Sequence, residues 1–295
     1  MLSEIRPDRP VLIAGPTASG KSGLALAIAE RQGGVIINAD ALQVFAAWPI
    51  LTAQPSAEER ARAPHRLYGH LPYDASYSAG DWLREVAPLL AGPERPIVVG
   101  GTGLYFKALT EGLAPIPPIP PSLRAEADAY LAKAGLAALA RDLDAQTRAQ
   151  LDLANPARVQ RAWEVQRATG RGLAAWQAAT PPPLLPLDRA EAVLIEAPKD
   201  WLAPRIAERF EAMLAGGLLE EAAAEARRWN AKRQSARAIG AAALIAQQAG
   251  ALPLAAARAA LLTATEQYAK RQRTWFRGRM RGWRKVPGAA LFSDS

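Results

Sequence analysis

Short apolar runs recur along the chain, and each closes on a glycine or an acid. Val11-Leu12-Ile13-Ala14 meets Gly15, Val35-Ile36-Ile37 meets Asn38-Ala39-Asp40, Ile97-Val98-Val99 meets Gly100-Gly101, and Ala192-Val193-Leu194-Ile195 meets Glu196. Unbroken runs of this length predict strands buried on both faces. Helix-period segments lie between them: residues 23–29 after the first run, and residues 81–90, with Ser78 or Asp81 as N-cap, before the third. Such alternation predicts an α/β fold, a parallel sheet with flanking helices whose ligands sit at the strand carboxyl ends.

The pattern changes after residue 113. Residues 114–121, Ala-Pro-Ile-Pro-Pro-Ile-Pro-Pro, predict a stiff extended connector. Only helical patterns follow, at 122–134, 136–143 and 156–168, the last with Asn155 as N-cap, Pro156 at the first helical position and Gly170 as its stop. A second proline-rich stretch, 180–186, precedes the strand at 192–196. The expected organisation is a core from residues 1–121 and 186–295 with a helical C-terminal part, interrupted by an all-helical insertion domain, 122–185. Helices are predicted at about 200–214, 218–229, 237–249 and 254–277.

The first strand runs into Gly15-Pro16-Thr17-Ala18-Ser19-Gly20-Lys21-Ser22, the GxxxxGKS pattern of a phosphate-binding P-loop. Its glycines let successive N–H groups face one anion, Lys21 adds a mobile cation, and the Ser22 hydroxyl suits the shell of a Mg²⁺. The following helix directs its N-terminal dipole at the same point. An NTP-hydrolysing machine also needs an acid at the end of a second strand to hold the metal. Here Ile97-Val98-Val99 ends in Gly-Gly-Thr, and the carboxylate stands instead at Asp40. Asp40 therefore reads as a general base facing an acceptor, or as a helix-cap or turn aspartate.

Composition narrows the partners. With 295 residues, 50% of them hydrophobic, a sizeable core is available. No apolar run approaches the ~20 residues of a membrane span, and residues 1–10 lack an apolar signal core, so a cytoplasmic, membrane-free protein is expected. The absence of cysteine excludes disulfides and thiolate chemistry, and two histidines make a multi-histidine metal site unexpected. A net charge of +8 suits an anionic partner such as nucleic acid. Residues 270–285 concentrate it: Lys270, Arg271, Arg273, Arg277, Arg279, Arg281, Arg284 and Lys285, without an acid and interleaved with Trp275, Phe276 and Trp283. Cations can neutralise phosphates while aromatics stack on unpaired bases. Trp163 is expected in a core, and His65 is expected to structure its loop.

An ordered set of short motifs extends these readings. Gly15 to Ser22 is followed by Asn38-Ala39-Asp40-Ala41-Leu42-Gln43-Val44, Thr52-Ala53-Gln54-Pro55, Pro64-His65-Arg66-Leu67, Tyr77-Ser78-Ala79, Val99-Gly100-Gly101-Thr102-Gly103-Leu104-Tyr105 and Ala269-Lys270-Arg271-Gln272-Arg273-Thr274-Trp275. From about residue 10 to 285 the chain resembles the tRNA dimethylallyltransferases (isopentenyl-tRNA transferases). It departs from their pattern at Ala41, Phe45, Gln54 and Ala241.

The resemblance implies transfer of a dimethylallyl group from dimethylallyl diphosphate, with Mg²⁺, to the exocyclic amine of an adenosine. That adenosine lies 3′ of the anticodon in tRNAs reading codons that begin with U. It implies residues 15–22 as the diphosphate site, Asp40 as the base, Thr17 and Thr102 at the diphosphate and reacting centre, and Arg237 reaching the diphosphate. It places tRNA against Asp40, Ala41, Leu42, Gln43, Thr102, Arg124, Ala157, Arg158, Val159, Gln160, Arg161, Lys270, Arg271 and Arg273, gripping the anticodon stem-loop with a monomeric enzyme. Two other readings are a small-molecule kinase using ATP and a non-catalytic RNA-binding protein with a degenerate P-loop. The missing strand-end acid disfavours the first, and the intact Lys21, Ser22 and Asp40 disfavour the second.

Overall fold

A computed structural model describes residues 4–292. In chain order it holds β1 (Val11–Ala14), α1 (Lys21–Gln32), β2 (Val35–Asn38), α2 (Ala57–Arg62), β3 (His65–Arg66), α3 (Ala79–Leu90), β4 (Pro96–Gly100) and α4 (Gly103–Glu111). Helices α5 (Pro121–Ala134), α6 (Leu136–Arg141), α7 (Ala145–Gln150), α8 (Pro156–Thr169) and α9 (Leu173–Ala178) follow. The chain then returns through β5 (Glu191–Glu196), α10 (Lys199–Ala215), α11 (Leu218–Ala226), α12 (Ala241–Gln248), α13 (Leu254–Arg279) and β6 (Arg284–Pro287). Two compact units divide it, Met1–Thr110 with Leu185–Ser295, and Glu111–Leu184.

The first unit is built on a parallel sheet of order β3-β2-β4-β1-β5-β6. Leu12, Ala14, Val35, Ile37, Val98 and Leu194 bury one face, and Val11, Ile13, Ile36, Ile97, Val99, Val193 and Ile195 bury the other. This double burial is why the strands read as unbroken apolar runs. Pairing of Ala14 with Gly100 and of Asn38 with Val99 brings the carboxyl ends of β1, β4 and β2 to one edge. A β-carbon on Gly100 would fall 2.1 Å from the Ala39 carbonyl oxygen, so only glycine permits that approach.

Helix α3 begins at Ala79 because Ser78 forms a capping box: its Oγ accepts from the Asp81 N–H at 3.2 Å while Asp81 Oδ2 accepts from the Ser78 N–H at 2.9 Å. The helix expected at 237–249 is shorter. Ser235–Arg237 is a 3₁₀ turn, and Gly240, at φ 90°, breaks the chain before α12. The basic stretch is not one helix either: α13 ends at Arg279, and β6 pairs with β5 at the sheet edge, Lys285 Nζ lying 3.0 Å from Glu196 Oε1.

The second unit is all-helical, packing α5, α6 and α8 through Ala127, Leu139, Val159, Ala162 and Trp163. It begins at Glu111, so the extended proline-rich segment belongs to it.

Candidate active site

The P-loop wraps between β1 and α1 with Ala18 and Gly20 in the left-handed region, at φ 62° and 86°. The Ser19 N–H donates back to the Pro16 carbonyl at 3.2 Å. Helix α1 has neither a side-chain cap nor an acid in its first turn, which leaves its leading N–H groups open to an anion. The Lys21 ammonium lies 3.4 Å from the Pro16 carbonyl oxygen. Burial lowers its pKa from 10.5 to about 8, opposed by the Asp40 charge and assisted by that of Arg209. Ser22 is exposed beside it.

Asp40 stands one residue beyond the buried Ala39 at the end of β2. Its N–H donates to Asn38 Oδ1 at 2.8 Å, and Asn38 Nδ2 in turn donates to the carbonyls of Asp40 and Leu67, each at 2.9 Å. No helix starts here, which removes the helix-cap reading. Asp40 Oδ1 accepts from the Leu42 N–H at 3.0 Å, an Asx turn that aims the carboxylate. Oδ2 faces the turn after β4, where a β-carbon on Gly101 would sit 3.3 Å away. Thr102 locks the two turns together: its Oγ1 accepts from the Ala41 N–H at 2.9 Å and its own N–H donates to Ala39 at 3.1 Å.

Thr17 of the P-loop and Asp40 line one cavity, together with the polar Thr52, Arg209, Thr265 and Tyr268 and the apolar Leu51, Ile206, Phe210, Met213, Ile239 and Leu261. Arg209 Nη2 donates to Thr17 Oγ1 at 2.8 Å, and Arg205 Nε donates to the Ala18 carbonyl at 3.1 Å. Burial lowers the Arg209 pKa while Asp40 holds it up. Arg237 does not join this group. It is exposed on its 3₁₀ turn and does not line the cavity. The arginine that meets the P-loop side chains is Arg209, which the sequence reading missed. Its signal was an arginine on the apolar stripe Ile206, Phe210, Met213 of α10. Gln272, also missed, accepts from the Thr17 N–H at 2.9 Å and donates to the Gly101 carbonyl at 3.0 Å.

The residues assigned to tRNA separate by environment. Leu42 lines the cavity, while Ala41 is half-buried. Gln43 spends its Nε2 on the carbonyls of Thr52 and Ala53, both at 2.8 Å, and the divergent Gln54 similarly braces Phe45 at 2.8 Å. Lys270 and Arg271 are exposed and Arg273 is half-buried, its Nε enclosed without a partner. Phe276 and Trp283 are a correction: both are core residues, Trp283 packing edge-on against Phe106 at 5.2 Å. Trp275 is pressed against Gly103, where a β-carbon would fall 2.2 Å from its ring. These aromatics hold the fold and are not free to stack on bases.

In the helical unit, Ala157 and Arg158 are exposed near the start of α8, but Val159 is buried in the unit's core and has no side-chain surface for RNA. Arg124, Gln160 and Arg161 converge on Glu164, which is 1% exposed. Its oxygens lie 3.4 Å from Arg124 Nε, 3.3 Å from Gln160 Nε2 and 3.9 Å from Arg161 Nη1. Trp163 is core, as expected, and His65 Nδ1 lies 2.8 Å from the Ala63 carbonyl oxygen, with burial lowering its pKa.

Comparison with known proteins agrees with the motif order. The sequence model of the IPP transferase family matches residues 43–279. The chain is 62% identical over 289 residues to the tRNA dimethylallyltransferase of Dinoroseobacter shibae, covering 97% of each. It is 61% identical over 285 residues to that of Cereibacter sphaeroides, covering 97% of this chain and 91% of the relative. The tRNA isopentenylpyrophosphate transferase of Bacillus halodurans superposes with a TM-score of 0.67 at 29% identity, covering 95% of this chain and 90% of that one. A eukaryotic dimethylallyltransferase acting on tRNA shares the fold, with a TM-score of 0.80 at 22% identity over 95% of this chain and 73% of its own.

Proposed function

The chain belongs to the IPP transferase family, and on that premise we propose that it moves a dimethylallyl group from dimethylallyl diphosphate onto tRNA. The acceptor is the exocyclic amine of the adenosine 3′-adjacent to the anticodon in tRNAs reading codons that begin with U. The observation that carries this reading is the shared sheet edge: an open P-loop after β1, Asp40 after β2, and a cavity lined by Thr17, Asp40 and several apolar side chains.

The adenine amine is a poor nucleophile because its lone pair is delocalised into the ring, so both ends of the reaction need help. As the N–C bond forms, the C–O bond to the diphosphate breaks and its electron pair leaves with the diphosphate. The P-loop N–H groups and Lys21 stabilise that developing charge, and fixed donors of this kind each contribute about 3–4 kcal/mol. The proton shed by the amine passes to Asp40, a step of general-base type worth roughly 10²–10⁴ in rate. The apolar lining residues Leu51, Ile206, Phe210 and Met213 suit the five-carbon chain and would exclude water from the reacting carbon. Thr17, held by Arg209, and Thr102, held to Ala41, frame the centre.

Among the described residues no cluster of three or more His, Cys, Asp or Glu side chains could hold a metal alone. The exposed Ser22 hydroxyl at the head of α1 is the group that would hold a Mg²⁺ accompanying the diphosphate. Bound there, Mg²⁺ would supply further positive charge to the leaving group. Lys270, Arg271 and Arg273 in the core unit and Arg124, Ala157, Arg158, Gln160 and Arg161 in the helical unit are proposed to meet the anticodon arm. Among the described residues no helix is long and apolar enough to cross a membrane.

Incubating the protein with labelled dimethylallyl diphosphate, Mg²⁺ and unmodified tRNA should render the label acid-insoluble. Phosphorylation of a small acceptor by ATP, without prenyl transfer, would overturn the assignment in favour of a kinase.

A further inference from the structure

Gln272 is a polar side chain that a basic, RNA-facing helix has no reason to bury. It is buried, at 5% exposure, although Arg271 beside it is exposed. The amide bridges two turns at the reacting edge, the Thr17 N–H of the P-loop at 2.9 Å and the Gly101 carbonyl at 3.0 Å. Its orientation follows from the partners, because only Oε1 can receive an N–H and only Nε2 can serve a carbonyl. A β-carbon on Gly101 would lie 2.2 Å from Nε2, so the bare backbone of that turn is what lets the amide reach. The same turn carries Thr102, bonded to the Ala41 N–H, and faces Asp40 Oδ2. From the other side Arg209 holds the Thr17 hydroxyl. One amide thus spans the loop that grips the leaving group and the turn that backs the proton acceptor.

We infer that Gln272 is a positioning residue that fixes the separation between the diphosphate loop and the Asp40–Thr102 turn, an inference that rests on the prenyl-transfer reading above. It touches no reacting atom. By taking the Thr17 N–H it also leaves an anion to the later N–H groups of the loop and the head of α1. A displacement of about 1 Å between groups that react in line costs on the order of 10² in rate. The effect of losing the bridge therefore belongs in turnover rather than in binding.

The test uses Gln272→Met, similar in size with neither bond, and Gln272→Glu, which keeps an acceptor for Thr17 and sets an anion against the Gly101 carbonyl. At saturating tRNA and dimethylallyl diphosphate, kcat of both should fall roughly 10- to 100-fold, while the Kd for each substrate moves less than about threefold. The Glu variant has a second readout. Its kcat relative to wild type at the same pH should rise as the pH is lowered from 8 to 5, because a protonated carboxyl again donates to Gly101 and no longer sets a charge beside Asp40. A merely structural role would instead move the melting temperature with pH and leave kcat of the folded enzyme unchanged. If the Met variant does not fold, this ratio alone decides. Wild-type kcat in both variants, or a loss confined to the KM for tRNA, would overturn the inference. An inactive wild-type protein in the same assay would instead overturn the prenyl-transfer reading.

Discussion

Lys21 offers a direct test of the proposed leaving-group site. Its ammonium is enclosed against the Pro16 carbonyl, and its pKa stands near 8 instead of 10.5, chiefly through burial. Roughly half of it is therefore charged at pH 8 in the ligand-free protein. A diphosphate ester is fully ionised there, the second pKa of a phosphate being about 6. Any proton taken up on binding must then go to the protein. If the bound diphosphate returns Lys21 to its ordinary value, binding at pH 8 takes up about half a proton, approaching one at pH 9, and Kd weakens by up to about tenfold per unit above that. The interval between about 8 and 10.5 caps the effect at about 3 kcal/mol. Calorimetric titration in buffers of different ionisation enthalpy counts the protons directly. Lys21→Met should abolish the uptake and lower turnover by about two decades or more. Uptake near zero at pH 8 and 9 together with a flat Kd would refute the placement of Lys21 against the diphosphate. The same group has an opposite signature in folding. Because its folded pKa lies below its unfolded one, the unfolded chain binds more protons between about 8 and 10.5, so the ligand-free protein gains stability as pH rises through that window.

Other substitutions test the remaining groups. Asp40→Asn should cut kcat by roughly 10²–10⁴ with tRNA affinity nearly unchanged; normal turnover across a pH series would leave Asp40 as a turn residue only. Changing the exposed Lys270, Arg271, Arg277 and Arg279 together to Gln should flatten the plot of log tRNA affinity against log salt by about 0.7–0.9 per lost contact. Parallel salt lines would show that face of α13 to be merely solvated. Glu164→Gln removes the charge that gathers Arg124 and Arg161, so KM for tRNA should rise several-fold while kcat holds; an unchanged KM would show that their gathering serves the helical unit alone.

The parts of this site that the sequence displays are those whose chemistry is local. A P-loop announces itself because an anion cradle of successive N–H groups must be contiguous, and β1, Gly15 to Ser22 and α1 supply it in one stretch. Strands buried on both faces announce themselves as apolar runs. By contrast β6 reads Arg-Lys-Val-Pro, an edge strand with a single buried apolar side chain and no alternation to find. Helix α4 is hidden behind the glycines that open it. Arg209 is legible only as an arginine on the apolar stripe of α10, and the meeting of that stripe with Thr17 of the P-loop is a tertiary contact.

Helix α13 shows most clearly what periodicity can and cannot reveal. Its segment from Lys270 to Arg279 looks uniformly basic, so charge alone assigns every residue in it to an outer, phosphate-facing surface. Yet Leu261, Thr265, Ala269, Gln272 and Phe276 recur at helical spacing and all are buried. Gln272 lies on that inner stripe between alanine and phenylalanine, where a glutamine requires partners for both ends of its amide. The outer face can be altered by charge with little consequence inside, since its cations are solvated. On the inner face a one-atom change at Gln272 alters the hydrogen bonding of both the P-loop and the β4 turn. The helix whose outer face carries the exposed cations thus also carries, on its inner face, the amide that bridges the P-loop and the β4 turn. A sequence displays only the first of these features, because charge is visible without a fold and register is not.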